Sequence, residues 1–466
     1  MNYVKKSEQL GLRVIRKLKK FLSASSTIEQ FRATPTAFSR ERLLTLPILV
    51  LTMLRAHKVS QQSGLNKVFR ALDRVFSVPS ASAYSQARTK LKPEIFVEMN
   101  RLVCEEYYKQ NEQNEQAIIT CAASSDKTTQ LWHDRRLLGF DGIVLNLPDY
   151  PTIREAFSIQ VNQYGAYVQG LAGVLYDLLG EIGLASDLGP KQGEQVILMS
   201  DRVWSQTKRG DVLVLDRNYV DFALLAWAVK NKRDVVMAPR RATFRCATNG
   251  FAVIQEFWNS SKDEAVVTLT LPNTPNTRRF VRENNLPESV QVRLIKFILP
   301  SGETEVILTT LCDTVAFPKQ EFYTVYGKRW GEETYFDRIK NIFEVERFSG
   351  KTALTILQDF FSVIFLATLE GVLTRPAQAQ LQQRDELRQN KTQAKVNRVN
   401  SYIALVDRII ELLADSTITA QETLTEIQFL FLQTPTRHKS GRQFKRLKTT
   451  PSRKYRYYRY TKRIIA

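Results

Sequence analysis

Apolar residues recur at helical spacing through Phe31–Leu54 and Ile95–Tyr108, and Gly and Pro are sparse around them. The spacing predicts helices over residues 1–117, cut into several short ones by breaks such as Val78-Pro79-Ser80. That texture suits a DNA-binding bundle, and equally a helical packing domain that touches no DNA. From about residue 118 the period changes. Leu137-Leu138-Gly139-Phe140 is an apolar strand running into a turn at Asp141-Gly142, and Phe157–Asn162 and Ala166–Tyr176 alternate as antiparallel strands do. Glu194–Lys208 reads as an amphipathic helix, Asp211–Leu215 as a buried strand ending in Asp216, and Phe222–Lys230 as another helix.

Three strands, a helix, a strand and a helix, with an acid closing the first and fourth strands, is the order of a ribonuclease-H-like α/β fold. Residues 118–233 are therefore read as the first part of such a catalytic core. Residues 234–313 contain Val266–Leu271, Val290–Leu299 and Glu305–Leu311 and hardly a helical stretch, so a β-rich insertion is expected there. Helical texture returns after Phe317-Pro318. It gives the second part of the core at 314–375 and a helical C-terminal region at 376–433, ahead of a basic tail at 434–466.

Lys and Arg number 67 against 47 Asp and Glu, a net charge of +20 with only 24% of residues charged, so the bias comes from a shortage of acids. Such a surface meets a polyanion, DNA first, with an anionic membrane or solubility alone as the alternatives. A hydrophobic content of 43% excludes a mainly disordered chain. The tail holds twelve Lys or Arg and no acid, with Tyr455, Tyr457, Tyr458 and Tyr460 interleaved, a composition that binds phosphate chains by charge and stacking. Cys104, Cys121, Cys246 and Cys312 form no CxxC pair and only three histidines exist, so any metal must be held by carboxylates, which selects magnesium or manganese. Pro47 interrupts Leu43–Leu54, and Gln358, Asp359 and Glu370 interrupt Thr355–Leu373, so neither run reads as a membrane span. No apolar signal core follows the N-terminal cations; a cytoplasmic protein with no membrane partner is expected.

The sharpest pattern is Tyr326, Arg329, Glu333 and Lys340. On one α-helix, at about 100° per residue, these four fall within about 60° of one another. A tyrosine, two cations and an acid on one stripe can lie along a nucleic-acid backbone, the acid at the scissile phosphate. The bland alternative is a surface helix in which Arg329 and Glu333 pair at i,i+4.

The spacing Tyr, two, Arg, three, Glu, six, Lys resembles the signature of the insertion-sequence-four family of bacterial DDE transposases. Trp330 and Phe336 stand where that family often has aromatics. Asp216-Arg217-Asn218-Tyr219 looks like its Asp-Arg-Gly-Tyr, with Asn218 in place of Gly. Asp141-Gly142 followed by Leu147-Pro148-Asp149 looks like the segment of the first catalytic aspartate, with Ile143 in place of a small hydroxyl residue. Ala83-Tyr84-Ser85-Gln86-Ala87-Arg88-Thr89-Lys90-Leu91 resembles its Ser-Gln-Ala-Arg-x-Lys-Leu stretch. The resemblance covers about residues 35 to 375.

It implies a cut-and-paste transposase in which Asp141, Asp216 and Glu333 are catalytic and hold two magnesium (or manganese) ions, the arrangement that activates a nucleophile and stabilises a leaving oxygen. Asp126, Asp134 and Asp149 are rivals for the first position; Asp141 is preferred because it closes an apolar strand. Tyr326, Arg329 and Lys340, with Arg217 and Tyr219 beside Asp216, are the expected DNA contacts. Implied partners are terminal inverted repeats, target DNA and a second copy of the chain, as a homodimer on DNA. If a hairpin intermediate forms, Trp258 is the candidate for stabilising a flipped base, against the plainer reading of a core Trp. A DNA-binding regulator that no longer cuts, and a structure-specific nuclease, are the alternatives.

Overall fold

The strand that begins at Leu137 continues through Asp141 to Leu147, because a second strand lies antiparallel along its whole length, from Leu138 opposite Asp177 to Leu147 opposite Val168. The expected turn at Asp141-Gly142 is therefore corrected: a neighbouring strand takes up the hydrogen bonds that a turn would have left to water. The computed structural model describes residues 2–40, 42–55, 60–119, 131–163, 165–239, 252–299, 302–390, 392–414 and 419–438.

Helices α1 (Asn2–Ser23), α2 (Ser25–Phe31), α3 (Leu46–Arg55), α4 (Gln61–Ala71), α5 (Ala81–Arg88) and α6 (Glu94–Ile119) come first, as the periodicity predicts. Then follow β1 (Leu137–Leu147), α7 (Pro151–Ala156), β2 (Ser158–Asn162), β3 (Gly165–Asp177), β4 (Ile182–Pro190), α8 (Glu194–Leu198), α9 (Asp201–Trp204), β5 (Val212–Leu215), α10 (Phe222–Lys230) and β6 (Asp234–Met237). Beyond residue 251 lie α11 (Ala252–Asn259), β7 (Glu264–Thr270), α12 (Pro275–Glu283), β8 (Ser289–Ile298) and β9 (Thr304–Thr309). The chain closes with α13 (Lys319–Gly327), α14 (Trp330–Asn341), α15 (Ala353–Leu373), α16 (Arg375–Leu387), β10 (Gln393–Lys395), α17 (Arg398–Leu413), α18 (Ala420–Gln433) and β11 (Thr436–His438).

The protein is mixed α/β. One nine-stranded sheet runs β2-β3-β1-β5-β6-β9-β8-β7, with β4 pairing the remaining half of β3's edge. β1, β5 and β6 are parallel, and the rest of the ladder is antiparallel. Every residue of β5 is buried, as in a strand covered on both faces. Three expectations change. β4 is an additional strand, Glu194–Lys208 is two short helices rather than one, and residues 234–313 carry α11 and α12 between their strands. Pro275 opens α12, and Val281 buries its inner side while Arg278, Arg279 and Arg282 stay exposed, an amphipathic pattern.

Helix α15 is long and apolar enough to cross a membrane, yet 94% of its apolar window is buried inside the fold. Its polar interruptions have partners. Gln358 and Asp359 bind Arg88 at 2.9 Å each, Thr368 donates to the Gly183 carbonyl at 3.0 Å, and Glu370 accepts from Arg398 at 3.0 Å. A reciprocal cap between Thr352 and Thr355 starts the helix. Of the basic tail, only 434–438 lie among the described residues, where β11 pairs with β10. The tyrosine–cation stretch lies outside them, as do Asp126, Cys121 and Cys246.

Candidate active site

Asp141 sits in mid-β1, and Asp216 follows β5 immediately, opening a 3-10 turn at Arg217–Tyr219. β1 and β5 pair in parallel with Leu137 opposite Val212 and Gly139 opposite Val214. The same offset carried two residues further sets Asp141 opposite Asp216. Sequence separated these acids, and adjacent parallel strands bring them side by side.

Their neighbourhood is acidic and partly buried. Burial, together with the nearby Glu194 and Asp216 carboxylates, pushes Asp141 up to about 6, against the pull of the Gly142 amide, which donates to its Oδ1 at 2.9 Å. Glu332 is 3% exposed, its Oε1 has no hydrogen-bond partner among the described residues, and burial, then the charge of Asp141, raises its carboxyl well above the ordinary range. Glu194 accepts a hydrogen bond from the Tyr219 hydroxyl at 2.9 Å.

Two glycines make this crowding possible. A Cβ on Gly139 would lie 2.4 Å from the Glu332 carboxyl carbon, and one on Gly142 would lie 2.5 Å from Glu194 Cγ. Any side chain at either position would displace an acid from beside Asp141.

Glu333, the expected third acid, is placed differently from its neighbour. Its side chain is 38% exposed and pairs with Arg329 at 3.2 Å, the i,i+4 contact. The backbone stays helical through Lys328 and Arg329, so α13 and α14 nearly continue one another, but Tyr326 faces inward at 8% exposure. Arg329 lies over the rings of Tyr326 and Trp330, at 5.9 and 5.1 Å. Lys340 donates to the Val144 carbonyl of β1 at 3.3 Å, which fastens α14 to the strand of Asp141. Arg217 is 54% exposed next to Asp216.

One expected position is corrected. Tyr219 is 1% exposed and hydrogen-bonded to Glu194, so it supports the site from inside rather than meeting DNA. Trp258 lies on α11, half-buried against the core, with its indole N–H unpartnered among the described residues. Of the rival aspartates, Asp149 is exposed and paired with Arg154, and Asp134 is an exposed residue at φ +59°. Neither stands beside Asp216.

Glu194 and Glu332 are the acids that sequence reasoning missed. Glu332 carried a signal: Glu332, Tyr335, Phe336 and Ile339 repeat at i, i+3, i+4 and i+7 and are all buried. Glu333 lies off that stripe. Nothing local marks Glu194, which reaches Asp141 only through the packing of α8 on β1 and β3.

Among the described residues no three acids, histidines or cysteines converge closely enough to chelate an ion as they stand. The donor chemistry nevertheless fits a hard divalent cation. The set is all carboxylate, Asp141 is held near 6 partly by like charges, and a buried Glu332 oxygen lacks a partner.

Residues 164–369 match the family model described as a transposase DDE domain. The chain is also 24% identical over 257 residues to the transposase InsG for insertion sequence element IS4 of Escherichia coli (strain K12). That alignment takes in 52% of this chain and 55% of that protein, so the chain spans about half the length of the curated relative it matches. Together these matches support an insertion-sequence-four-family DDE transposase. The chain also aligns, over 90% of its length and 85% of the other's, with a chain of the piggyBac transposase synaptic complex with hairpin DNA, at 10% identity and a TM-score of 0.39.

Proposed function

We propose that the protein is a cut-and-paste transposase that binds the inverted repeats ending its element, cleaves there and joins the ends to target DNA. The observation that supports this reading most is the closeness of Asp141, in β1, to Asp216, directly after the parallel neighbour β5, with the helix that bears Glu333 packed on β1. β4-β3-β1-β5-β6, three antiparallel strands continued by two parallel ones, supports a ribonuclease-H-like core, into which the segment of 234–313 is inserted. The division at 117, 375 and 433 is proposed on the same basis, with the helical N-terminal region binding DNA.

Asp141, Asp216 and Glu333 would hold two magnesium or manganese ions, which when bound activate the attacking oxygen and stabilise the leaving one. The chain's own groups do the rest. Gly139 and Gly142 leave room on β1 for the carboxyl groups of Glu332 and Glu194 beside Asp141. The Gly142 amide fixes one oxygen of Asp141 by a hydrogen bond. Arg217 and Arg329 put positive charge beside the acids and would bind flanking phosphates, while Lys340 locks α14 against β1. The functional form would be a homodimer on two ends, acting on DNA in the cytoplasm.

Asp141→Ala, Asp216→Ala and Glu333→Ala should each abolish magnesium-dependent cleavage of repeat-end DNA while leaving end binding nearly intact. Substantial cutting by any one of them would sink its assignment. A wild type that binds repeat ends but never cuts indicates a regulator. One that cuts branched DNA without regard to repeats indicates a structure-specific nuclease.

A further inference from the structure

The segment between α2 and α3 forms no helix and folds across α5, leaving a groove of about 680 Å³. One bank carries Thr34, Thr36, Arg40 and Arg42, and the other Gln86 and Lys90, all exposed. None of its described lining residues is acidic, and Arg40, Arg42 and Lys90 enter no ion pair among the described residues. Glu41 lies outside the described residues. The outer face of α5 is Ser82, Ser85 and Gln86, followed by exposed Thr89 and Lys90 just past the helix, small or hydrogen-bonding and again without an acid. Beside it, the loop from α4 leaves Phe76 entirely exposed, between Arg74 and the groove residue Pro79.

The inner face of α5 is fixed. Arg88 is 1% exposed and donates to Gln358 at 2.9 Å, Ser349 at 2.6 Å, the Thr355 carbonyl at 3.0 Å and Asp359 at 2.9 Å. Gln358 returns two hydrogen bonds, to the carbonyls of Arg88 and Leu91. A cationic groove on a helix clamped to the core of the molecule holds whatever it binds at a set position relative to the acidic site.

We propose that this groove seats the sugar-phosphate backbone of duplex DNA, with α5 turned toward the adjoining base edges; the proposal rests on the transposase reading above. Cations on two facing banks, with the Thr34 and Thr36 hydroxyls on one of them and an open trough, match a run of phosphates rather than one compact anion.

The test is fluorescence-anisotropy binding of the full-length protein to repeat-end and random duplexes over a range of salt, without divalent ions. Arg40→Ala/Arg42→Ala/Lys90→Ala should bind at least tenfold more weakly and lower the slope of log K against log salt by up to about 2.7, about 0.9 for each phosphate neutralised. Arg40→Lys/Arg42→Lys, which keeps the charges, should keep the slope. Arg384→Ala/Arg388→Ala/Lys395→Ala removes three exposed cations elsewhere and should change little. These groove side chains are exposed and outside any ion pair, so a thermal melt should match wild type. A triple groove variant that binds with wild-type affinity and slope overturns the proposal, and so does an equal loss in the remote control. A wild type that neither binds nor cuts DNA fails the transposase reading itself, a different result from a groove variant that binds normally.

Discussion

Asp141 carries the clearest residue-scale consequence. Its carboxyl is raised from 3.8 to about 6, first by burial and then by Glu194 and Asp216. The folded protein therefore holds that proton more tightly than the unfolded chain. The resulting stability is present below pH 3.8 and lost as pH rises through about 6; at 1.36 kcal/mol per unit it amounts to at most about 3 kcal/mol. Asp141→Asn should therefore gain little over wild type at pH 4 and melt visibly higher than wild type at pH 8, both without divalent ions. An equal difference at the two pH values would contradict the assignment. Gly139 makes a second case. Gly139→Ala sets a methyl 2.4 Å from the Glu332 carboxyl carbon and should cost about 1–3 kcal/mol. Glu332→Ala in the same chain should recover most of that loss, a non-additivity measurable in a denaturant double-mutant cycle.

At the scale of elements, α15 is the member that ties the molecule together. An apolar helix of this length is ordinary core, but its polar residues reach three other parts of the chain. Gln358 and Asp359 hold α5 through Arg88, Thr368 holds the start of β4, and Glu370 holds α17 through Arg398 and Ser401. Arg88→Ala leaves Asp359 buried with its cation gone and should lower stability by about 3–5 kcal/mol in denaturant unfolding. Arg88→Lys should recover only part of this, because one ammonium cannot span the four acceptors that the guanidinium reaches. Equal stability of Arg88→Ala and wild type would show that α5 is held by its apolar side, through Tyr84 and Ala87, alone.

For the whole molecule, the net charge of +20 is unevenly placed along the sequence. Eleven Lys or Arg and no acid follow residue 438, while Thr436–His438 already pair with Gln393–Lys395. Deleting residues 439–466 should flatten the salt dependence of DNA binding, by about 0.9 for each phosphate the tail had neutralised, and weaken repeat and random duplexes alike. The melting temperature should stay near that of the full chain. A lower melting temperature with an unchanged salt slope would assign the tail to the fold instead, in line with the edge strand that Tyr455–Tyr460 resembles.

Local periodicity was enough for the helices before residue 120, for Phe222–Lys230, and for β3, β5, β7, β8 and β9, since each carries its own apolar repeat. Motif spacing singled out Asp141, Asp216 and Glu333, of which packing brings Asp141 and Asp216 together while Glu333 pairs with Arg329. What the sequence could not determine depended on partners distant along the chain. β1 continues past Asp141 because β3 lies beside it, and Tyr219 turns inward because Glu194 accepts its hydrogen bond. Glu332 enters the acidic cluster because Gly139 has no side chain, and Gln358 and Asp359 belong in a buried helix because Arg88 meets them there. Local pattern decides which residues form a helix or strand and which face is apolar. Which carboxylates share a site, and which charges are neutralised, is decided by the burial and proximity that only tertiary packing supplies.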